Sequence, residues 1–247
     1  MSFLQNGVTA HRGNPAELPE NTLAGFRSGI EIGADWLELD AHFTRDGELV
    51  VCHDFTTGRT ANQDLVVADT DWTELRELAF GNKDCPATMP LLREVIELVM
   101  SQRQTRLSIQ PKADCVPEVV ALIRELGAED WIGFNDGDWG KMQQARELLP
   151  EAWIFLDTSP GIEGVDDIVS FARENRFQSV VMHHSTVTPD RAATISAAGI
   201  EVGAWTVNEP AQMRDMLNMG VTRLYTDAPR SFLALSPERK RNGGMEE

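Results

Sequence analysis

Two histidines stand where apolar runs of the chain end, His11 after Val8-Thr9-Ala10 and His53 after Val50-Val51-Cys52. They are two of only five histidines in 247 residues, and imidazole titrates close to neutral pH. A pair of such groups can supply one acid and one base to the same reaction. Taken singly, each histidine is better explained as an ordinary hydrogen-bonded loop residue, so the residues that accompany the pair decide the interpretation.

Two carboxylates lie two positions apart in the stretch D-W-L-E-L-D-A-H-F, at Glu38 and Asp40. On a strand, positions i and i+2 point to the same face, so these two acids are neighbours. Burying two like charges is costly unless a cation compensates them, and Mg2+ or Ca2+ suits such an all-oxygen pair. The alternative is a pair of solvent-facing acids on an edge strand. Counted together with His11 and His53, the pair favours a divalent metal site.

Cationic and polar side chains follow the same strand ends. Arg12, beside His11, can hold an anionic oxygen such as that of phosphate with its two-pronged donor geometry, and Lys112 can do so as a point charge. Glu20 and Asn21 precede a helical pattern, where an acid near the helix N-terminus and an N-cap amide are ordinary features. Plain structural roles and roles in a site are therefore both open for these two residues.

The elements that must position these residues alternate between strands and helices. Period-2 and short apolar runs predict strands at 7–10, 35–43, 106–110, 131–134, 152–156, 179–182, 201–206 and 223–226, with a hairpin partner at 48–54. Helical patterns fall between them, at 22–32, 91–100, 116–126, 141–149, 165–175, 189–198 and 210–219, and a short helical stretch is predicted near 73–78. About eight β/α units is the count of a (β/α)8 (TIM) barrel. A doubly wound open sheet, the alternative, favours a glycine-rich loop after the first strand, where this chain has H-R-G and no G-x-G-x-x-G.

In such a barrel the chemistry lies at the carboxyl ends of the strands. Polar residues end nearly every predicted strand and so converge on one face. Trp205 ends its strand in A-W-T-V-N and is predicted to line the site, whereas the other strand aromatics are predicted to be core. The converging residues are His11, Arg12, Glu38, Asp40, His53, Asp54, Gln110, Lys112, Asn135, His183, His184, Trp205, Asn208 and Asp227.

The charge of the chain limits its partners. A formal net charge of −17 argues against nonspecific binding to nucleic acid or to an anionic membrane surface. A phosphate-bearing small molecule would be repelled at long range and would need a local cationic site. No stretch approaches the 18 consecutive apolar residues of a membrane span.

Composition predicts one domain over residues 1–247, since 42% hydrophobic content can fill one sizeable core. The three cysteines are odd in number and lack C-x-x-C spacing, which suits a reducing compartment and argues against disulfides or zinc. The first residues lack the charged and apolar regions of a signal peptide. We therefore expect a cytoplasmic protein, with a frayed, charged tail after Pro237.

Three blocks of the sequence resemble the glycerophosphodiester phosphodiesterase family: H-R-G…P-E-N-T, E-L-D…T-x-D-G-x-L-V-V-x-H-D, and A-W-T-V-N…G-V-T-R-L-Y-T-D-A-P. The similarity runs from about Val8 to Pro229, and the order H-R-G, P-E-N-T, E-x-D, H-D is hard to find by chance. The resemblance implies a (β/α)8 barrel with a small insertion, over about 55–88, after the hairpin strand that ends at His53. It also implies hydrolysis of a glycerophosphodiester to sn-glycerol 3-phosphate and an alcohol.

The same resemblance implies a role for each site residue and a reaction path. The roles are the acid/base pair His11 and His53, phosphate-binding Arg12 and Lys112, site-lining Glu20 and Asn21, and metal-binding Glu38 and Asp40. One histidine takes the proton of the glycerol 2-hydroxyl, which attacks phosphorus, and the other protonates the leaving alkoxide. A cyclic phosphate then forms and is hydrolysed with the roles reversed.

Gln110 is the clear departure from the family pattern. The family usually has E-x-K at the end of the third strand, where the glutamate is a third metal ligand, and here S-I-Q-P-K keeps only Lys112. Glutamine can still coordinate through its neutral carbonyl oxygen, so we expect Gln110 to be the third ligand and the metal to be held more weakly. Pro111 stiffens the strand end, and Asn135 departs from the usual pattern at the fourth strand.

Two other functions fit the same residues. One is a related phosphodiesterase that takes another head group or a lysophospholipid, with specificity set by the insertion and the fourth-strand loop. The other is a barrel that binds a phosphodiester or sugar phosphate without turnover, its metal site weakened by Gln110. Retention of the complete set of candidate residues argues against the binding barrel. The lack of an apolar surface helix in the insertion argues against a membrane-lipid substrate.

Overall fold

The computed structural model describes residues 5–161 and 164–235, and within them eight parallel strands close into a barrel. In chain order the strands are β1 (Val8–His11), β2 (Trp36–Phe43), β3 (Leu49–Val51), β4 (Phe80–Asn82), β5 (Cys85–Ala87), β6 (Arg106–Pro111), β7 (Ile132–Asp136), β8 (Trp153–Thr158), β9 (Ser179–His183), β10 (Glu201–Trp205) and β11 (Arg223–Thr226). The order around the barrel is β1, β2, β6, β7, β8, β9, β10 and β11, and β11 pairs with β1. This closure confirms the predicted barrel and excludes the open sheet.

Helices connect the strands and cover the outside of the barrel. They are α1 (Leu23–Ile32), α2 (Trp72–Leu75), α3 (Leu92–Met100), α4 (Val116–Leu126), α5 (Trp139–Leu148), α6 (Val165–Glu174), α7 (Pro189–Ala197), α8 (Pro210–Asn218) and α9 (Pro229–Leu235). In α3 the buried Leu92, Val95, Ile96 and Val99 recur with helical spacing, which presents one apolar stripe to the sheet. Such stripes give the large core between strands and helices.

The strand register places polar residues of neighbouring strands side by side. His11 of β1 pairs with Glu38 of β2, and Asp40 of β2 pairs with Gln110 of β6. Residues two apart on β2 share a face, so both carboxylates point into the barrel. The sheet itself therefore brings an imidazole, two carboxylates and an amide to one end of the interior.

Aromatic rings fill the barrel interior beneath that end. The ring of Phe155 meets those of Trp36 and Tyr225 edge-on, at centroid distances of 5.0 Å and 6.0 Å. At the opposite end, the fully buried Arg223 lies 2.5 Å from Glu201 and 3.6 Å from Asp35. Below the end that carries the polar residues, the barrel interior is therefore filled with side chains and is not a pore.

The insertion (residues 55–88) follows the hairpin strand β3, which pairs antiparallel with β2. It contains a 3-10 turn at Val67–Asp69, the short helix α2 and the β4–β5 hairpin. Its helix was predicted near 73–78 and instead covers Trp72–Leu75. Val67, Leu75 and Phe80 are buried in a small apolar cluster, so the insertion has its own packed base against the barrel.

Two predictions about the chain are not tested by this fold. The frayed tail after Pro237 lies outside the described residues, and the assignment of 1–247 to a single domain stays a prediction. No helix within 5–161 and 164–235 combines the length and the apolar character needed to cross a bilayer.

Candidate active site

A cavity of about 250 Å³ opens at the carboxyl ends of the barrel strands. Seven of the ten predicted site residues line it, and the other three, Glu20, Asn21 and Asp40, contact residues of the lining. The structure therefore brings all ten to one place. The lining residues are His11, Arg12, Glu38, His53, Gln110, Lys112, Asn135, Gly137, Asp157, Ser159, Trp205, Thr206 and Tyr225.

His11, at the end of β1, is held by carboxylates on both sides. Its Nδ1 lies 2.6 Å from Oδ1 of Asp227, which follows β11, and its Nε2 lies 3.9 Å from Glu38. Burial opposes protonation of the ring, but Glu38 and Asp227 outweigh it and raise the pKa of His11. The Asp227 contact fixes the Nδ1 side, so Nε2 is the atom that faces the reaction space.

The loop after β1 turns sharply so that Arg12 returns to the barrel mouth. Arg12 has a φ of 53° and Gly13 a φ of 95°, and a Cβ on Gly13 would lie 2.7 Å from a backbone carbon of α1. Only glycine fits this turn. The Arg12 N–H donates to Glu38 (3.2 Å), and its guanidinium contacts Glu20 (3.2 Å) and Asp40 (3.3 Å).

Asn21 belongs to the site and does not cap α1. Its φ is 55°, its backbone N–H donates to the Arg12 carbonyl (3.0 Å), and its Nδ2 donates to Asp40 (2.9 Å). Thr22 is the N-cap of the helix, with its side chain accepting from the N–H of Gly25. The plain N-cap interpretation of Asn21 is therefore wrong, and the residue ties the first loop to the buried carboxylate.

The two carboxylates of β2 are each about 1% exposed. Burial, followed by the charge of Asp40, raises the pKa of Glu38. Oδ1 of Asp40 accepts no hydrogen bond and lies 3.4 Å from Nζ of Lys112. The same ammonium donates to Oε1 of Gln110 (3.0 Å). Lys112 thus lies between the carboxylate and the amide that face each other across β2 and β6.

This donor set fits a divalent cation. It offers two buried carboxylates and an amide oxygen, the hard ligands that Mg2+ and Ca2+ prefer, and one carboxylate oxygen of Asp40 has no hydrogen-bond donor. In the part of the chain that the structure describes, no three His, Cys, Asp or Glu side chains gather as a metal-binding group. The neutral amide of Gln110 lies opposite Asp40 in the register of β2 and β6.

His53 begins a chain of ionic contacts that leads into the insertion. Its Nδ1 lies 2.6 Å from Oδ1 of Asp54, and Oδ2 of Asp54 accepts from Nε of Arg59 (2.5 Å). The Arg59 hydrogen bond is the main cause that lowers the pKa of Asp54 to about 2. Burial lowers the pKa of His53 against the opposing charges of Asp40 and Asp54. Asp54 engages Nδ1 of the ring, which leaves Nε2 available to a substrate in the cavity.

Asn135 and Asp157 are site residues to which the sequence assigned no role. Ser108 donates to Oδ1 of Asn135 (2.7 Å), which orients its Nδ2 toward Asp157 (3.2 Å) and Glu38 (3.5 Å). Burial raises the pKa of Asp157 well above its ordinary value. The predicted strand ended at residue 156, whereas β8 continues to Thr158 and carries Asp157 to the cavity.

Trp205, which the sequence predicts to line the site, is among the residues that line the cavity. The His183 ring meets the Trp205 ring edge-on at 4.9 Å, and its Nδ1 lies 2.7 Å from the Ser185 hydroxyl. His184 lies beyond the strand, with Nδ1 accepting from Gln212 (3.1 Å). These two histidines support the rim around Trp205 and are separate from the pair at His11 and His53.

The fold and the site together define a (β/α)8 barrel whose cavity at the strand ends is lined by two imidazoles, a guanidinium, an ammonium and carboxylates. Residues 11–231 match the model of the glycerophosphoryl diester phosphodiesterase family. A glycerophosphodiester phosphodiesterase of Caldanaerobacter subterraneus is 28% identical, over 92% of this chain and 96% of that protein. One of Bacillus altitudinis is also 28% identical, over 94% and 99%. An Oleispira antarctica phosphodiesterase, solved in complex with the product sn-glycerol-3-phosphate, has a TM-score of 0.80 at 24% identity, covering 94% of this chain and 96% of that one.

The chain belongs to the glycerophosphoryl diester phosphodiesterase family. It is accordingly a hydrolase of glycerophosphodiesters, as its resemblance implied. Enzymes of this family depend in general on a divalent metal ion.

Proposed function

We propose that this protein hydrolyses glycerophosphodiesters to sn-glycerol 3-phosphate and an alcohol, with His11 and His53 as the acid/base pair. The observation that carries the proposal is the matched setting of the two rings. Each lines the same cavity, and each has Nδ1 within 2.6 Å of a carboxylate, Asp227 or Asp54. Two imidazoles with Nε2 directed to one space can take and return a proton on opposite sides of a phosphodiester.

The residues divide the reaction between them. One imidazole takes the proton of the glycerol 2-hydroxyl, which attacks phosphorus, and the other gives a proton to the departing alkoxide. Arg12 and Lys112 lie at the cavity, where their charges stabilise the phosphoryl oxygens as negative charge develops. The products follow from this path, since the glycerol side keeps the phosphate after the cyclic ester is opened by water.

A divalent cation would offset the negative charges of Glu38 and Asp40. Glu38, Asp40 and Gln110 would hold it, and it would supply Lewis-acid stabilisation of the phosphoryl oxygens. The ion we propose is Mg2+ or Ca2+, because all three ligands are oxygens and none is a thiolate or imidazole.

The buried thiols are in keeping with a cytoplasmic location, which we also propose. Burial raises the pKa of Cys52 to about 12 and that of Cys115 to about 11, so both stay protonated and serve packing. The expected partner is a small glycerophosphodiester and neither a nucleic acid nor a membrane surface, in line with the net charge of −17.

The test is release of sn-glycerol 3-phosphate from glycerophosphocholine and glycerophosphoethanolamine, with Mg2+, with Ca2+ and with EDTA. His11→Ala and His53→Ala should each abolish metal-dependent release, because each removes a proton carrier. His184→Ala is the matched control and should keep wild-type activity, because its ring accepts from Gln212 of α8 and is not part of the cavity lining. Folded wild-type protein that releases nothing with either metal would overturn the proposal in favour of another head group or of binding without turnover.

A further inference from the structure

We propose that Arg59, in the insertion, is a positioning residue of the hydrolysis, which orients His53 through the carboxylate of Asp54. The inference rests on the proposed function, since it assigns His53 to the acid/base pair. Arg59 itself would touch no reacting atom. Its task would be to hold Asp54 in the one orientation that keeps the His53 ring directed at the cavity.

The guanidinium of Arg59 joins two carboxylates of the active-site rim. Nη1 and Nη2 donate to the two oxygens of Glu20 (2.7 Å and 2.8 Å), and Nε donates to Oδ2 of Asp54 (2.5 Å). The other oxygen of Asp54 is the one that meets His53 Nδ1. All three nitrogens of the guanidinium therefore donate hydrogen bonds. The two to Glu20 hold the group in place, so that Nε is directed at Asp54.

A built turn presents Arg59 at this position. The buried Thr57 donates from Oγ1 to the Gln63 carbonyl (2.7 Å) and accepts from the Leu65 N–H (3.0 Å). The Gly58 N–H donates to Asp64 (2.9 Å), and a Cβ on Gly58 would lie 2.4 Å from the Asp64 carboxyl carbon. A side chain at Gly58 would displace Asp64, so glycine preserves the hydrogen bond that shapes the backbone beside Arg59.

Isolated ion pairs at a surface contribute little, and the Arg59 side chain is 47% exposed. Here the planar guanidinium of Arg59 makes a bidentate contact with the Glu20 carboxylate and donates through Nε to Asp54. This geometry adds directional specificity. Asp54 is itself about one-third exposed. Without Arg59 its carboxylate can turn to water and His53 loses the acceptor that fixes its tautomer.

The alternative is that Arg59 has a purely structural role and does not affect His53. Arg59 would then serve only to fasten the insertion to the barrel, as another arginine does. Arg45 makes an equally complete fork to Asp71 of the insertion (2.8 Å and 2.7 Å) and donates to the Asp69 carbonyl (3.2 Å). Arg45 contacts neither His53 nor its partner carboxylate in the hydrogen bonds of the described residues, so Arg45→Ala is a matched control for fastening alone.

The first experiment compares Arg59→Ala, Arg59→Lys and Arg45→Ala by steady-state hydrolysis of glycerophosphocholine, with thermal unfolding to establish that each variant is folded. For Arg59→Ala we expect kcat to fall about 10- to 100-fold, part of what general acid–base catalysis supplies, with KM within about threefold of wild type. Arg59→Lys should recover little, because an ammonium lacks the fork. Added guanidinium should restore part of the Arg59→Ala rate, and Arg45→Ala should keep the wild-type kcat.

The second experiment does not depend on turnover. Nitrogen-15 NMR of the imidazole rings reports whether the His53 proton is on Nδ1 or Nε2. Wild type and Arg45→Ala should hold the Nδ1–H form, and Arg59→Ala should show a mixture of tautomers. An inactive wild type would overturn the proposed function while leaving this measurement to judge Arg59. An unchanged His53 tautomer in Arg59→Ala, or a loss of kcat equal to that of Arg45→Ala, would overturn the inference.

Discussion

Nδ1 of His11 and Oδ1 of Asp227 lie 2.6 Å apart although 216 residues separate them in sequence. The contact joins the ends of the first and last strands of the barrel. The second oxygen of Asp227 accepts from Nδ2 of Asn208 (2.7 Å), and Asn208 in turn accepts from the Asp227 N–H (2.9 Å). The carboxylate therefore has one fixed orientation, and so does the imidazole that it holds.

Asp227→Asn should lower kcat by about 100-fold or more, with little change in KM. The amide is isosteric but can donate to Nδ1, which favours the tautomer with the proton on Nε2 and misdirects the ring. Steady-state kinetics of glycerophosphocholine hydrolysis measure the effect. Asn208→Ala, which only loosens Asp227, should lose much less activity. A kcat for Asp227→Asn within about twofold of wild type would contradict this role for the carboxylate.

Gln110→Glu should tighten metal binding at least tenfold, a gain of about 1.4 kcal/mol. The new carboxylate would face Asp40 in register across β2 and β6 and add one negative charge to the proposed ligand set. Titration calorimetry with Mg2+ and with Ca2+ gives the dissociation constants directly. Gln110→Ala is the paired control and should weaken binding. Equal affinities for all three proteins would show that Gln110 lies outside the metal site.

Arg223→Ala should lower the free energy of unfolding by about 3–5 kcal/mol, because it strands buried carboxylates without their cation. Arg223 is fully buried between Glu201 and Asp35. Arg230→Ala is the matched control, since its two contacts to Glu17 are exposed and should contribute little to stability. Urea unfolding at pH 7 measures both. If the two variants lost similar amounts of unfolding free energy, the buried ion pairs of Arg223 would not stabilise the amino end of the barrel as proposed.

Asp54→Asn should destabilise the protein at neutral pH by about 0.5–1 kcal/mol, a small effect because the pair is partly exposed. The pKa of Asp54 is lowered to about 2, chiefly by Arg59, from an ordinary value of 3.8. A lowered folded-state pKa gives stability that is present above about pH 4 and is lost as pH falls toward 2. Urea unfolding should therefore show that the difference in unfolding free energy between wild type and variant becomes smaller as the pH falls from 7 to 3. A difference in unfolding free energy that does not change with pH would show that the charge of Asp54 is not its cause.

The barrel and its mouth could be predicted because strand ends are a local property of the sequence. Alternation of apolar and polar residues located β2, and the i, i+2 spacing alone put Glu38 and Asp40 on one face. The same logic placed His11 and Asp227 at strand ends, but their pairing depends on closure of the barrel, which no local pattern records. The boundary of β8 was predicted two residues short, and that error hid Asp157.

The contacts of Arg59 could not be predicted, because they depend on irregular backbone. The insertion has neither helical nor strand periodicity at residues 57–65, and its course is set by hydrogen bonds in which Thr57 donates and accepts and Asp64 accepts. Asn21 illustrates the same limit on a smaller scale. Its residue type suits both an N-cap and a left-handed turn, and only the tertiary contact with Asp40 decides between them.

The pairing of β1 with β11 also has a consequence for how activity arises during folding. Contacts between distant parts of a chain carry the largest loop-closure entropy and tend to form late. The Asp227 carboxylate that holds Nδ1 of His11 follows β11, so it is in place only once β11 has docked on β1. Recovery of hydrolysis after dilution from denaturant should therefore lag behind recovery of helix content. With the role proposed for His11, a molecule that turns over substrate is one in which β1 and β11 have already paired.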